Sequence, residues 1–97
     1  MHTVVETPTY LAVANKLFSE EERADIVALV AADPECGDLV RGTGGFRKAR
    51  VVYIWRNEIF PVFLITVFPK NEKENLSMAE RNALKKRADS IFETYGS

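Results

Sequence analysis

The sequence predicts a small α+β fold: an antiparallel sheet, mixed at its edge, with two N-terminal helices and one C-terminal helix packed on it. Three observations predict it. Ser19 with Glu22 and Ser77 with Glu80 are capping boxes, each followed by apolar residues at helical spacing. Between them lie two β-rich runs, residues 46–55 and 59–68, separated by a turn-like Asn57-Glu58. The chain has 97 residues, the size of one hydrophobic core, so residues 1–97 read as a single domain.

Val4 and Val5, flanked by Thr3 and Glu6, predict a short first strand. Thr7-Pro8 marks a helix start, because a proline at the first helical position has no needed N–H to lose. Leu11, Ala14 and Phe18 then recur at near-helical spacing, which predicts an amphipathic helix over 8–17. Ser19 opens a second helix over 20–31, with Ala24, Val27, Val30 and Ala31 on its buried face and Ile26 beside them. Asp33-Pro34 ends it, since a residue preceding proline avoids the helical region. Glu35-Cys36-Gly37-Asp38 and Gly42-Thr43-Gly44-Gly45 predict turns on either side of Leu39-Val40. The glycine cluster lacks the Gly-Lys-Ser/Thr ending of a phosphate loop and leads into a strand, so it does not read as one.

Residues 46–56 pose a conflict. One strand of that length is twice the usual, yet two strands require a reversal near Ala49-Arg50-Val51, where no Gly, Pro, Asn or Asp stands. Residues 59–68 are nearly all apolar and predict a central strand, with Pro61 fitting an edge or a bulge. Ser77 opens a long helix to Thr94, with Leu84, Ala88, Ile91, Phe92 and Tyr95 inward and Arg81, Lys85, Lys86 and Asp89 outward. This order places the helices on one side of the sheet.

Composition narrows the function. With 46% apolar and 28% charged residues the chain matches a globular domain rather than a disordered one. No apolar run approaches the roughly 20 residues of a membrane span, and no cationic stretch leads into a hydrophobic one at the N-terminus. Cys36 is the single cysteine and His2 the single histidine, so neither an internal disulfide nor a zinc cluster is expected. A metal-free, cofactor-free protein of the cytoplasm is the expectation.

Net charge is −1, but its distribution is uneven. Residues 19–38 hold seven acids against Arg23 alone, whereas residues 39–57 hold Arg41, Arg47, Lys48, Arg50 and Arg56 and no acid. Such a basic stripe can attract a polyanion. Alternatively, the two segments neutralise each other in the fold. If 46–50 is a strand, Lys48 and Arg50 share one face and Arg47 takes the other. Two cations about 7 Å apart on one face can straddle a phosphodiester. Lys70 and Lys73, with Asn71 between them, follow the central strand directly and could converge with Lys48 and Arg50 at the sheet's end. Each of these cations is also what an ordinary solvent-facing strand or loop carries.

The usual hydrolase groups are missing: there is no nucleophile elbow, no second histidine and no carboxylate pair in the basic region. Arginine and lysine can bind phosphate and stabilise the charge that builds on it. RNA brings its own nucleophile, the 2′-hydroxyl, so cleavage needs only orientation, charge stabilisation and proton transfer. A lysine could take that proton if neighbouring cations and burial lowered its pKa.

The ordered set Leu17-Phe18-Ser19-Glu20-Glu21-Glu22, the Asp33-Pro34 to Gly37-Asp38 turn, Gly42-Thr43-Gly44-Gly45-Phe46-Arg47-Lys48-Ala49-Arg50, Val51-Val52-Tyr53, and Leu64-Ile65-Thr66-Val67-Phe68-Pro69-Lys70-Asn71-Glu72-Lys73 with the Leu76-Ser77 helix start resembles the HigB branch of the RelE toxin superfamily. The likeness covers nearly the whole chain. It implies a RelE-like fold and a toxin of a type II toxin–antitoxin pair that cuts mRNA, usually in the ribosomal A site. It implies a cognate antitoxin, a HigA-like helix-turn-helix protein, with operator DNA bound only through that antitoxin and no membrane partner. By the same resemblance basic residues are expected at Lys48 and Arg50, at the opening of the next strand and across Lys70 to Lys73. Lys48, Arg50, Lys70 and Lys73 are the expected catalytic set, and Arg47, Arg41, Arg56, Asn71 and Phe68 the expected RNA-binding residues. Relatives insert a Gly/Lys/Arg/Ser-rich loop after the position of Arg50, where this chain runs straight into Val51. Arg50 therefore matches either the last cation of one strand or the first of the next. The tyrosine some members use near the last helix is Leu76 here, which leaves the proton-transfer group unassigned.

Three readings follow: an mRNA endoribonuclease, a catalytically weak or inactive module that binds RNA, ribosome or antitoxin, and a protein–protein module whose basic strand docks an acidic antitoxin segment.

Overall fold

Alternation of buried side chains along two central strands organises the whole molecule. The computed structural model describes residues 2–40, 43, 45–67 and 77–96. In chain order the elements are β1 (Val4–Glu6), α1 (Pro8–Leu17), α2 (Glu20–Ala32), β2 (Asp38–Leu39), β3 (Phe46–Lys48), β4 (Val52–Ile54), β5 (Val62–Thr66) and α3 (Met78–Gly96). The sheet order is β1-β5-β4-β3-β2. β1 runs parallel to β5 at one edge, and the other neighbours are antiparallel. This is the predicted α+β arrangement with its mixed edge.

The helices differ from the prediction first in their placement: they cover both faces of the sheet. Tyr53, Val62 and Leu64 pack with Tyr10 and Ala14 of α1 and Ile26 and Val30 of α2. Val52, Ile54, Phe63 and Ile65 alternate to the other face and pack with Leu84, Ala88 and Phe92 of α3. The physical reason lies in β5, where apolar residues of both parities leave no face that water can have.

Helix starts follow the sequence closely. The Thr7 hydroxyl accepts from the Tyr10 N–H and donates to the Leu64 carbonyl at 2.7 Å, so the cap of α1 is also a tie to the central strand. Both capping boxes are formed: Ser19 with Glu22, and Ser77 with Glu80. Arg23 joins α2 to the rest through Asn15 at 2.7 Å and Glu6 at 3.2 Å. On α2 the buried residues are Ile26, Val30 and Ala31, with Ala24 exposed, so the buried stripe is rotated toward Ile26. Arg81 is half-buried rather than outward. The predicted inward Tyr95 side chain lies outside the described residues.

The conflict over residues 46–56 resolves as two strands. Lys48 faces Val52 across the ladder, and Ala49, Arg50 and Val51 make the reversal. The Ala49 N–H donates to the Val51 carbonyl at 3.0 Å, and no described non-glycine residue takes a positive φ. Burial drives this turn in place of turn chemistry: Phe46, Val51, Val52, Tyr53 and Ile54 are all buried, which a straight strand cannot achieve at a sheet edge. The second run also starts later than predicted. Asn57 makes the turn, accepting from the Phe60 N–H on its carbonyl and from the Ile59 N–H on Oδ1, and Ile59 is 85% exposed. Strand β5 begins only after Pro61.

Candidate nucleic-acid interface

Register sets where the cations fall. Asp38, Lys48, Val52 and Thr66 are successive partners across β2, β3, β4 and β5, so they form one row at one end of the sheet. The turn that carries Arg50 lies at this end, and the chain leaves β5 there. Lys48 is half-buried, and strand alternation gives it the face of Phe46, with Asp38 its opposite-charge cross-strand neighbour.

Arg50 points elsewhere. Its guanidinium lies 3.4 Å from Glu22 Oε2, at the start of α2, and 5.3 Å from the centre of the Phe18 ring. Lys48 and Arg50 therefore do not share the one face predicted for them. The strand ends at Lys48, so alternation does not carry through the turn to Arg50. Arg47 lies on the α2 side with Arg50. It donates to the Gly37 carbonyl at 2.9 Å and the Glu35 carbonyl at 3.4 Å, with the Glu35 carboxylate at 3.8 Å. Those bonds make Arg47 a clamp on the loop after α2 rather than an open phosphate donor.

Arg56 follows β4 at the opposite end of the sheet. Its guanidinium stacks 4.1 Å over Phe92, which also meets Phe60 and Phe63 edge to face. It belongs to the packing of α3 and is not brought together with Lys48 and Arg50. Arg41, Phe68, Lys70, Asn71 and Lys73 lie outside the described residues.

The two charged segments do meet. Glu22 and Glu35, both from the acidic segment 19–38, pair with Arg50 and Arg47, and Asp38 stands opposite Lys48. Glu22 is held on two sides. Hydrogen bonds with Ser19, reinforced by Arg50, keep its carboxyl below the usual range.

A buried phenol that sequence reasoning missed supports this region. Tyr53 donates from its hydroxyl to the Pro34 carbonyl at 2.9 Å and accepts from the Gly37 N–H at 2.8 Å, with Cys36 Sγ at 3.6 Å. A Cβ on Gly37 would come within 2.8 Å of that oxygen, which explains glycine there. Burial, with help from Cys36, pushes the Tyr53 phenol well above its ordinary value. Tyr10 is also raised, first by burial and then by Glu6, and its buried hydroxyl has no partner among the described residues. A tyrosine within a β-rich run carries no sequence sign of the loop carbonyl it will bind.

Among the described residues no group of His, Cys, Asp or Glu could hold a metal ion, and no helix is long and apolar enough to cross a membrane. No protein-family model matches the chain. The arrangement offers cations, one of them weakly held, at the sheet end where β5 finishes.

Proposed function

We propose that this chain is the toxin of a type II toxin–antitoxin pair, working in the cytoplasm on mRNA at the ribosome, with an antitoxin of the helix-turn-helix class as its partner. The observation that carries this reading is the row from Asp38 to Thr66, which brings Lys48, the Arg50 turn and the end of β5 to one end of the sheet, with the Lys48 and Arg50 side chains on opposite faces of it. Lys70 and Lys73, which follow β5 in the chain and lie outside the described residues, complete the proposed set. Cations there would hold the scissile phosphate while the ribose 2′-oxygen bonds to phosphorus and the P–O5′ bond breaks. This leaves a 2′,3′-cyclic phosphate and a 5′-hydroxyl that takes up the proton the 2′-hydroxyl gives up. Guanidinium and ammonium donors would meet the charge on the phosphate oxygens.

A second reading is favoured by the acids already facing these cations. Glu22 on Arg50 and Asp38 opposite Lys48 compete with phosphate, and Arg47 is committed to backbone carbonyls. These features suit a module that binds RNA, ribosome or antitoxin and cleaves weakly or not at all.

Primer extension on mRNA from cells expressing the chain without antitoxin separates the two. The toxin reading expects growth arrest with new 5′ ends in register with codons, both relieved by Lys48→Gln or Lys70→Gln. Arrest that survives neutralisation of Lys48, Arg50, Lys70 and Lys73 together rejects the site. Intact mRNA, with ribosome binding that falls steeply as salt rises, selects the second reading.

A further inference from the structure

Arg50 is held by two groups that resemble parts of a nucleotide. Glu22 Oε2 lies 3.4 Å from its Nη2, where a phosphate oxygen could stand, and the Phe18 ring lies 5.3 Å from its Cζ, where a base could stack. Glu22 is not a swinging surface acid. Its Oε1 accepts from the Ser19 N–H at 3.1 Å, and the Ser19 hydroxyl accepts from the Glu22 N–H at 3.1 Å. The capping box therefore fixes the carboxylate whether or not Arg50 is present, and leaves Oε2 turned to the guanidinium. Arg50 is equally placed from its own side, by a three-residue turn between paired Lys48 and Val52. The contact joins residues 28 apart in sequence, and both side chains stay about half exposed, 54% and 47%. An ion pair with that much water around it is weak enough to open for a competing anion.

We infer that the first turn of α2 is an autoinhibitory contact, in which Glu22 and Phe18 occupy Arg50 in place of a phosphate and a base of single-stranded RNA. This rests on the RNA-binding part of the function proposed above. RNA must displace Glu22 before Arg50 can serve it, so the acid sets the affinity without touching RNA itself. The same surface gives an effector a handle: whatever draws Glu22 away frees Arg50.

The test measures binding of a fluorescent single-stranded oligonucleotide with 2′-O-methyl riboses, which cannot be cleaved by the 2′-hydroxyl route. The chain is compared with its Glu22→Gln, Glu21→Gln, Arg50→Gln and Glu22→Gln/Arg50→Gln variants. Glutamine keeps the capping box, so Glu22→Gln removes the charge and not the helix start. Glu21→Gln changes net charge equally from the same exposed turn. The expected result is binding tightened about two- to five-fold by Glu22→Gln, the span of an exposed ion pair. The gain should be small in Glu21→Gln and absent once Arg50 is gone. Unchanged or weaker binding in Glu22→Gln overturns the inference, as does a gain that Glu21→Gln matches or that persists without Arg50; in these cases the wild-type chain still binds and the proposed function stands. Absence of binding by every variant, wild type included, overturns the inference together with the RNA-binding part of the proposed function on which it rests.

Discussion

Tyr53 shows how one side chain can hold a site it does not belong to. Its ring fills the core on the α1–α2 face, and its hydroxyl satisfies two buried backbone groups, the Gly37 N–H and the Pro34 carbonyl. The loop it holds also supplies the Gly37 and Glu35 carbonyls that Arg47 clamps. Tyr53→Phe keeps the ring and strands both groups without water. The expected cost is about 1–3 kcal/mol, the usual penalty for unmet buried hydrogen-bonding groups. Denaturant melts should show it as a shifted midpoint with an unchanged slope; stability equal to wild type would mean that the loop finds other partners. Arg50 is the opposite case, since its ion pair with Glu22 is about half exposed to water.

At the scale of elements, the helix starts do more than begin helices. Thr7 ties α1 to β5, and the Ser19–Glu22 box both caps α2 and aims a carboxylate at the β3–β4 turn. Ser19→Ala removes the acceptor for the Glu22 N–H, with an expected loss of about 1 kcal/mol in stability. The backbone N–H that holds Glu22 Oε1 survives this change, so the Arg50 contact should persist. Circular dichroism melts check the first effect. The side-chain Nε–Hε resonance of Arg50 checks the second, and a shifted resonance would show that the Ser19 hydroxyl, as well as its backbone N–H, aims the acid. These boxes were legible in the sequence because they depend on residues three apart. The Ala49–Val51 reversal was not legible, because nothing local makes it: burial of Phe46 on one side and Val51 to Ile54 on the other forces the chain to double back.

For the whole molecule, burial on two faces of one sheet couples its parts. The two buried phenols give a pH signature of that coupling. Tyr10 and Tyr53 both have their ionisation raised above the ordinary 10.0. In the unfolded chain these phenols lose their protons near that ordinary value, whereas in the fold they keep them. Stability from this source is fully present below about pH 10 and falls as pH rises beyond it, because the unfolded state then binds fewer protons than the native one. Of the three tyrosines, Tyr10 and Tyr53 should ionise at higher pH than an exposed phenol, read as phenolate absorbance that rises above pH 10 together with loss of circular dichroism. Phenolate appearing for both while the fold persists would contradict the burial described.

Helix starts and caps, the α+β class and the adjoining acidic and basic segments were determined by the sequence alone, since each rests on residues near one another in the chain. That the two segments face each other was decided by tertiary structure. Register set Asp38 opposite Lys48, and the fold of α2 brought Glu22 to Arg50. Only the folded chain could also separate Lys48 from Arg50, because side-chain alternation stops where the strand stops, and burial decided where that was.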